Sequence, residues 1–323
     1  METEIVIGWQ ERAPFLSGPM QLVSDLGPST AFNVFLAGLF WCWSGRRMAR
    51  VWVVNFVTMY FTSALKLVCH APRPYWIHED IRGLTRASGF GMPSGHAWVS
   101  AAVWGELARQ FALRSVFILA VLIILGVGVS RVYLGVHSAA QVGVGLALGL
   151  LVIGLGPTLE ARCRPWFEQL SFPKQLGAVF VACWGACLLV MGIRWGLSSY
   201  QIPPEWIAMA LEKRPQDGPI HPLSLHSPIM SAAGLNGFMV GYLCLERWQK
   251  YRDAVSWRQR GWRLLLGGGL LGPYVYATRR FLKGELAVSL PFFAALALDY
   301  AYGFTIGLLV SLGIPLLFHR FRI

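Results

Sequence analysis

The sequence predicts an all-α fold: a polytopic helical membrane protein with about nine transmembrane helices. Three observations lead there. The 323 residues are 55% hydrophobic and only 14% charged, with a mean hydropathy of +0.51, too little charge to solvate a soluble surface of this size. Apolar runs such as Phe117–Val129, Val142–Leu155 and Gly303–Phe318 approach, with their flanks, the roughly 20 residues that a helix needs to cross a bilayer. Lys and Arg fall in short clusters between those runs, the pattern of topology signals and anionic headgroup contacts. The net charge of +12 is therefore assigned to membrane lipids, and nucleic acid is excluded as a partner.

Residues 1–28 form an N-terminal interfacial segment. Glu2, Glu4 and Glu11 precede any apolar run, whereas a secretory signal starts basic. Phe15–Leu26 reads as a short amphipathic helix lying in the interface. A core part is expected over residues 29–160, with about five spans near Thr30–Ser44, Val51–Cys69, Ser94–Phe111, Ser115–Tyr133 and His137–Leu159. Pro72 and Pro74 end the second span, and the long polar loop from there to Met92 reads as a working loop.

A C-terminal membrane part, residues 161–323, packs on the core with about four spans near Leu176–Leu197, Ser227–Leu245, Trp262–Phe281 and within Glu285–His319. That last stretch is over-long for one crossing, so Glu285–Asp299 lies partly in the interface or the helix tilts strongly. Ser198–Leu225, before the seventh span, is polar and punctuated by Pro203, Pro204, Pro215, Pro219 and Pro222.

Charge then orients the chain. Arg46, Arg47 and Arg50 follow the first span, Arg109 and Arg114 the third, Arg162, Arg164 and Lys174 the fifth, and a basic loop, Arg247–Arg263, the seventh; Arg320 and Arg322 close the sequence. The positive-inside rule puts these in the cytoplasm. The N-terminus and the Gly89–Ala97 loop then face the periplasm, if the membrane is a bacterial inner membrane, or the lumen of an endoplasmic reticulum.

Three constellations carry chemistry. Lys66 and Arg73 stand seven residues apart, about two helical turns, so both cations share a face until Pro72 turns the chain. Ser94, Gly95 and His96 sit where a helix begins, and unpaired N–H groups with the positive end of the macrodipole make such a start an anion site. Arg131 and His137 flank a turn between two spans, with Gln141 one helical turn further on. Singly, each has an ordinary structural reading: snorkelling cations, a serine cap, an edge histidine. Three costly ionisable clusters meeting at one membrane face favour a functional site.

Smaller signals read structurally. Glu106 is expected to be a polar contact between packed helices, His70, His221 and His226 loop or edge histidines, and Tyr75 and Trp76 interfacial aromatics. Glu79, Asp80, Arg82 and Arg86 lie in the loop before Gly89, either as a gate or as a solvated loop. The six cysteines show neither ligand spacing nor a disulfide framework and are read as packing residues. No metal site and no cofactor is expected.

In this order, the residues resemble the type 2 phosphatidic acid phosphatase (PAP2) superfamily, whose signature is KxxxxxxRP, PSGH and SRxxxxxHxxxD. The resemblance covers Lys66–Gln141 and implies a PAP2-type helical core. It implies a two-step transfer in which His137 attacks phosphorus, His96 protonates the leaving oxygen and later activates water, and Lys66, Arg73, Ser94, Gly95 and Arg131 hold the phosphoryl oxygens, without a metal. Positioning and fixed positive charge are what phosphoryl transfer mainly requires.

One position departs from the signature. Gln141 stands where most members have Asp, and an amide oxygen can orient an imidazole but brings no charge to stabilise imidazolium. The glucose-6-phosphatase catalytic subunits carry Gln there, and RPYW at Arg73–Trp76, SRVYLGVHSAAQVGVG at Ser130–Gly145 and EWIAMALEK at Glu205–Lys213 also resemble them. A sugar phosphate such as glucose 6-phosphate is the substrate this implies. GFGMPSGHA and RVYLGVH are shared with the bacterial lipid and undecaprenyl diphosphate phosphatases, so a lipid phosphate or polyprenyl diphosphate is the alternative. A catalytically silent membrane scaffold that binds anions is the alternative of another class.

Overall fold

The computed structural model describes residues 2–248, 253, 256–283 and 290–323. Among them every regular element is helical. In chain order these are α1 (Glu2–Arg12), α2 (Ser17–Asp25), α3 (Thr30–Cys42), α4 (Gly45–Cys69), the single turn α5 (Pro74–Ile77), α6 (Gly95–Phe111), α7 (Arg114–Tyr133), α8 (Ala139–Gln169), α9 (Phe172–Gly196), α10 (Pro204–Lys213), α11 (His226–Arg247), α12 (Trp257–Lys283) and α13 (Phe292–Leu308). A π-helical turn, Leu309–Gly313, joins α13 to α14 (Ile314–Phe321).

Among the described residues six stretches are long and apolar enough to cross a membrane: Gly45–Ile77, α7, α8, α9, α11 and Phe292–Phe321. Helices occupy the other three expected spans but do not meet that measure. α3 has 13 residues, about 20 Å of helix against roughly 30 Å of hydrocarbon. α6 has 17 residues, and the apolar centre of α12 lies between Arg263 and Arg279. On α7 the side chains of Phe117, Leu119, Leu122 and Leu125 are more than half exposed, which for a continuous apolar surface means lipid. The protein is an integral membrane protein.

Helix ends differ from expectation where charge continues the helix. α8 runs to Gln169, ten residues past the expected end at Leu159, because Arg164 pairs with Glu168 at 2.7 Å and with Glu160 at 3.8 Å on the helix face. Two other segments are helical where no helix was expected: α1, and α10 inside the polar stretch Ser198–Leu225. The expected Glu285–Asp299 interfacial stretch begins outside the described residues.

The chain forms two compact units, each assembled from three separated stretches. The first comprises Met1–Phe32, Phe61–Leu159 and Val190–Ser224; the second comprises Asn33–Tyr60, Glu160–Leu189 and Leu225–Ile323. α6 is the core of the first unit, with all but a few of its residues buried. Small residues let α8 approach it closely: a Cβ on Gly145 would lie 2.6 Å from the Ser94 carbonyl oxygen, and one on Gly149 would run into Ala101. In the second unit Phe40, Trp52, Phe56 and Phe238 form an aromatic cluster, and the α11 and α13 backbones meet at Gly234 and Gly307.

Candidate active site

All of the candidate site residues lie in the first unit. α4 ends with Lys66 in its last turn, and Arg73 follows in extended conformation before Pro74 starts α5. The loop up to α6 folds back over these cations. Lys66 Nζ donates to the Phe90 carbonyl at 2.9 Å. Arg73 Nε donates to the Gly89 carbonyl at 2.6 Å and its Nη2 to that of Phe90 at 3.2 Å. The Gly91 N–H closes the fold-back on Ala71 O at 2.7 Å. Arg73 is 4% exposed, so these charge-assisted bonds compensate a costly burial.

His137 lies in the turn between α7 and α8, 2% exposed, and is held at both ring nitrogens. Its Nε2 is 3.1 Å from Arg73 Nη1, which also donates to Val136 O at 2.9 Å. Its Nδ1 is 3.1 Å from Gln141 Oε1. The orientation of that amide is set by its other contacts: Gln141 Nε2 donates to Pro72 O at 2.8 Å, and Oε1 accepts from the Ser138 N–H at 3.3 Å. A carbonyl only accepts and an N–H only donates, so Oε1 faces the imidazole and accepts from Nδ1–H. The remaining ring nitrogen, Nε2, therefore presents a lone pair toward Arg73. Burial first, then the positive Arg73, Lys66 and Arg131 and the neighbouring His96, holds the His137 imidazole well below its ordinary pKa.

The start of α6 joins the same network. The Ser94 N–H donates to Gln141 O at 3.0 Å, and Ser94 O accepts the first helical bond from Trp98 N. Ser94 Oγ is fully buried and has no partner among the described residues. Gly95 faces α4, where a Cβ would lie 2.8 Å from Thr62 Cγ2. His96 is half-buried beside the turn after α2: a Cβ on Gly27 would lie 3.3 Å from its Cδ2. Arg131 is 3% exposed; its carbonyl accepts from the His137 N–H at 3.3 Å, and its Nη1 donates to Ser24 Oγ on α2 at 2.7 Å.

The folded chain thus links Lys66, Arg73, Ser94, His137 and Gln141 through shared hydrogen bonds and places His96 and Arg131 around them. Sequence reasoning missed Ser24, which lies 107 residues from Arg131 and carries no local signal. It also misplaced Tyr75 and Trp76. Expected at the interface, they are 2% and 0% exposed in an apolar cluster with Phe90, Tyr133 and Val136. Tyr75 Oη donates to Ala87 O, and Trp76 meets both the Arg73 guanidinium and Trp206 of α10. Lys213 of α10 donates to the carbonyls of His78 and Ile81. Arg82 is tied to Gln10 of α1 through backbone and side chain. Glu106 pairs with Arg109 and Gln110 on its own helix. Among the described residues no three His, Cys, Asp or Glu side chains cluster as metal ligands.

Comparison with known proteins meets the same region. The PAP2 superfamily model matches residues 47–165, and a model described as a PAP2 superfamily phosphatase, transmembrane extension, matches residues 229–323. Lipid phosphate phosphatase delta of Arabidopsis thaliana is 30% identical over 149 residues, 41% of this chain and 35% of the plant protein. Phosphatidylglycerophosphatase B of Bacillus subtilis (strain 168) is 31% identical over 174 residues, 49% of this chain and 82% of its own length. Glucose-6-phosphatase 3 of Bos taurus is 27% identical over 295 residues, 82% of this chain and 81% of the bovine protein. No solved structure matches the chain significantly.

Proposed function

Because the chain belongs to the PAP2 superfamily, we propose that it is a membrane phosphatase that hydrolyses a phosphate monoester through a phosphohistidine on His137. The observation that carries this reading is the imidazole held at both ends, Nδ1–H against Gln141 Oε1 and Nε2 toward Arg73. A neutral imidazole with its lone pair fixed in one direction is a competent nucleophile.

In the first step the Nε2 lone pair attacks phosphorus, the ester P–O bond breaks, and His96 gives its proton to the leaving oxygen. In the second, His96 takes a proton from water. The resulting hydroxide attacks phosphorus, and the P–N bond breaks with its electron pair returning to Nε2. Lys66, Arg73, Arg131, the start of α6 at Ser94 and Gly95, and the helix dipole meet the charge on the equatorial oxygens. Side-chain cations supply this charge in place of a metal. The site faces the periplasm or lumen on the charge count.

The favoured substrate is a water-soluble sugar phosphate such as glucose 6-phosphate. Gln141 and a similarity to the bovine glucose-6-phosphatase that extends over 82% of the chain support it. A lipid phosphate is the second reading, favoured by the names of the plant and Bacillus relatives; undecaprenyl diphosphate stands beside it on the GFGMPSGHA and RVYLGVH motifs. Phosphate release by the purified protein in detergent, from glucose 6-phosphate, phosphatidic acid and undecaprenyl diphosphate side by side, tests it. Preference for the sugar phosphate is expected. Preference for a lipid replaces the substrate assignment, and no release from any of the three overturns the phosphatase reading in favour of a silent anion-binding protein.

A further inference from the structure

The three cations of the site are not engaged alike. Lys66 donates to Phe90 O. On Arg73 the Nε and Nη2 edge, the planar fork that grips two oxygens side by side, is already turned onto the Gly89 and Phe90 carbonyls, and Nη1 serves Val136 and His137. Arg73 therefore holds the loop and the nucleophile together. Arg131 is engaged the other way round. Among the described residues its one side-chain bond runs from Nη1 to Ser24 Oγ at 2.7 Å, and its buried Nε has no partner there.

From this difference we infer that Ser24 is a positioning residue: by holding Nη1 it aims the free Nε–Nη2 fork of Arg131 at two phosphoryl oxygens. The inference rests on the phosphatase reading for its ligand, a phosphoryl group. Ser24 is fully buried on α2, outside the matched PAP2 region at residues 47–165. A hydroxyl is neutral and can accept from Nη1 without adding negative charge at the guanidinium beyond that of the neighbouring Asp25, which acts on Arg131 through space. With Nη1 unheld, the long arginine side chain regains rotamer freedom that must be lost again on each binding event.

Isothermal titration with inorganic phosphate, together with steady-state turnover of the preferred substrate, tests this on the full-length protein in detergent. Ser24→Ala is expected to raise the phosphate Kd and lower kcat/KM by about tenfold each, equivalent to about 1.4 kcal/mol. In an Arg131→Ala background the same substitution should change the phosphate Kd by less than about twofold, since the group it acts through is gone. A loss of similar size in both backgrounds, or an unchanged phosphate Kd in the single variant, overturns the inference; a lowered melting temperature with unchanged Kd marks Ser24 as merely structural and overturns it too. Phosphate binding that weakens as expected in a wild type without turnover upholds Ser24 and refutes the phosphatase. A wild type that binds no phosphate refutes both.

Discussion

Replacing Gln141 with methionine keeps the length of the side chain and removes both of its polar ends. Three groups lose their partner: His137 Nδ1–H at 3.1 Å, the Ser138 N–H at 3.3 Å and the Pro72 carbonyl at 2.8 Å. The Ser138 contact is long and half-exposed, so the burden falls on the other two. Stranding a buried donor or acceptor costs about 1–3 kcal/mol. Gln141→Met should therefore destabilise the protein by roughly 2–6 kcal/mol and lower its unfolding temperature in detergent. The effect on turnover is separable. Without Oε1 the imidazole can take either tautomer and swing about its χ2 angle, and losing about 2–3 kcal/mol of orientation slows turnover on the order of 30- to 150-fold. Phosphate release under saturating substrate, at a temperature where both proteins are folded, measures this. A kcat for Gln141→Met within about threefold of wild type would mean that the amide does not orient the nucleophile, and the reasoning from its contacts would fail.

Three further outcomes are expected. Gly91→Ala puts a Cβ 2.5 Å from both Gln141 Nε2 and Pro72 O; pushing that amide away should cost at least tenfold in kcat/KM, or about 1.4 kcal/mol, and wild-type kinetics would contradict it. Gly135 adopts φ +70°, and an added Cβ would run into the Arg82 carbonyl. Gly135→Ala should therefore lose about 1–3 kcal/mol from the backbone alone, read as a fall in unfolding temperature. His137 is held below its ordinary pKa by burial and its cationic neighbours, so below about pH 6.5 the unfolded chain takes up a proton that the folded chain refuses. Stability must then fall on acidification; His137→Gln should make that decline shallower, and an unchanged slope would count against a buried neutral imidazole.

Much of this arrangement was legible because it is local. Lys66 and Arg73, Ser94 to His96, and Arg131 to Gln141 each announce themselves within a dozen residues, by helical spacing, proline punctuation or a helix start. The apolar stretches located the long helices for the same reason, since hydrophobic periodicity is a property of neighbours. What was not legible depends on distant partners. α10 sits inside a stretch, Ser198–Leu225, that reads as polar and proline-rich, and Trp206 against Trp76 and Lys213 against the His78 and Ile81 carbonyls show where it packs. Tyr75 and Trp76 carry the composition of interfacial aromatics; the cluster with Phe90, Tyr133 and Val136 buries them instead. α1 is amphipathic only weakly, and buried Gln10, bonded to the Arg82 and Tyr133 carbonyls, reveals its role.

The central claim is the covalent intermediate on His137. Radiolabelled substrate should be mixed with the purified protein, quenched in alkali within one turnover, and the label mapped by peptide. The peptide carrying His137 should hold an alkali-stable, acid-labile phosphate, absent in His137→Ala together with all turnover. Turnover that persists in His137→Ala, or a wild type that releases phosphate with no label on that peptide, would contradict it.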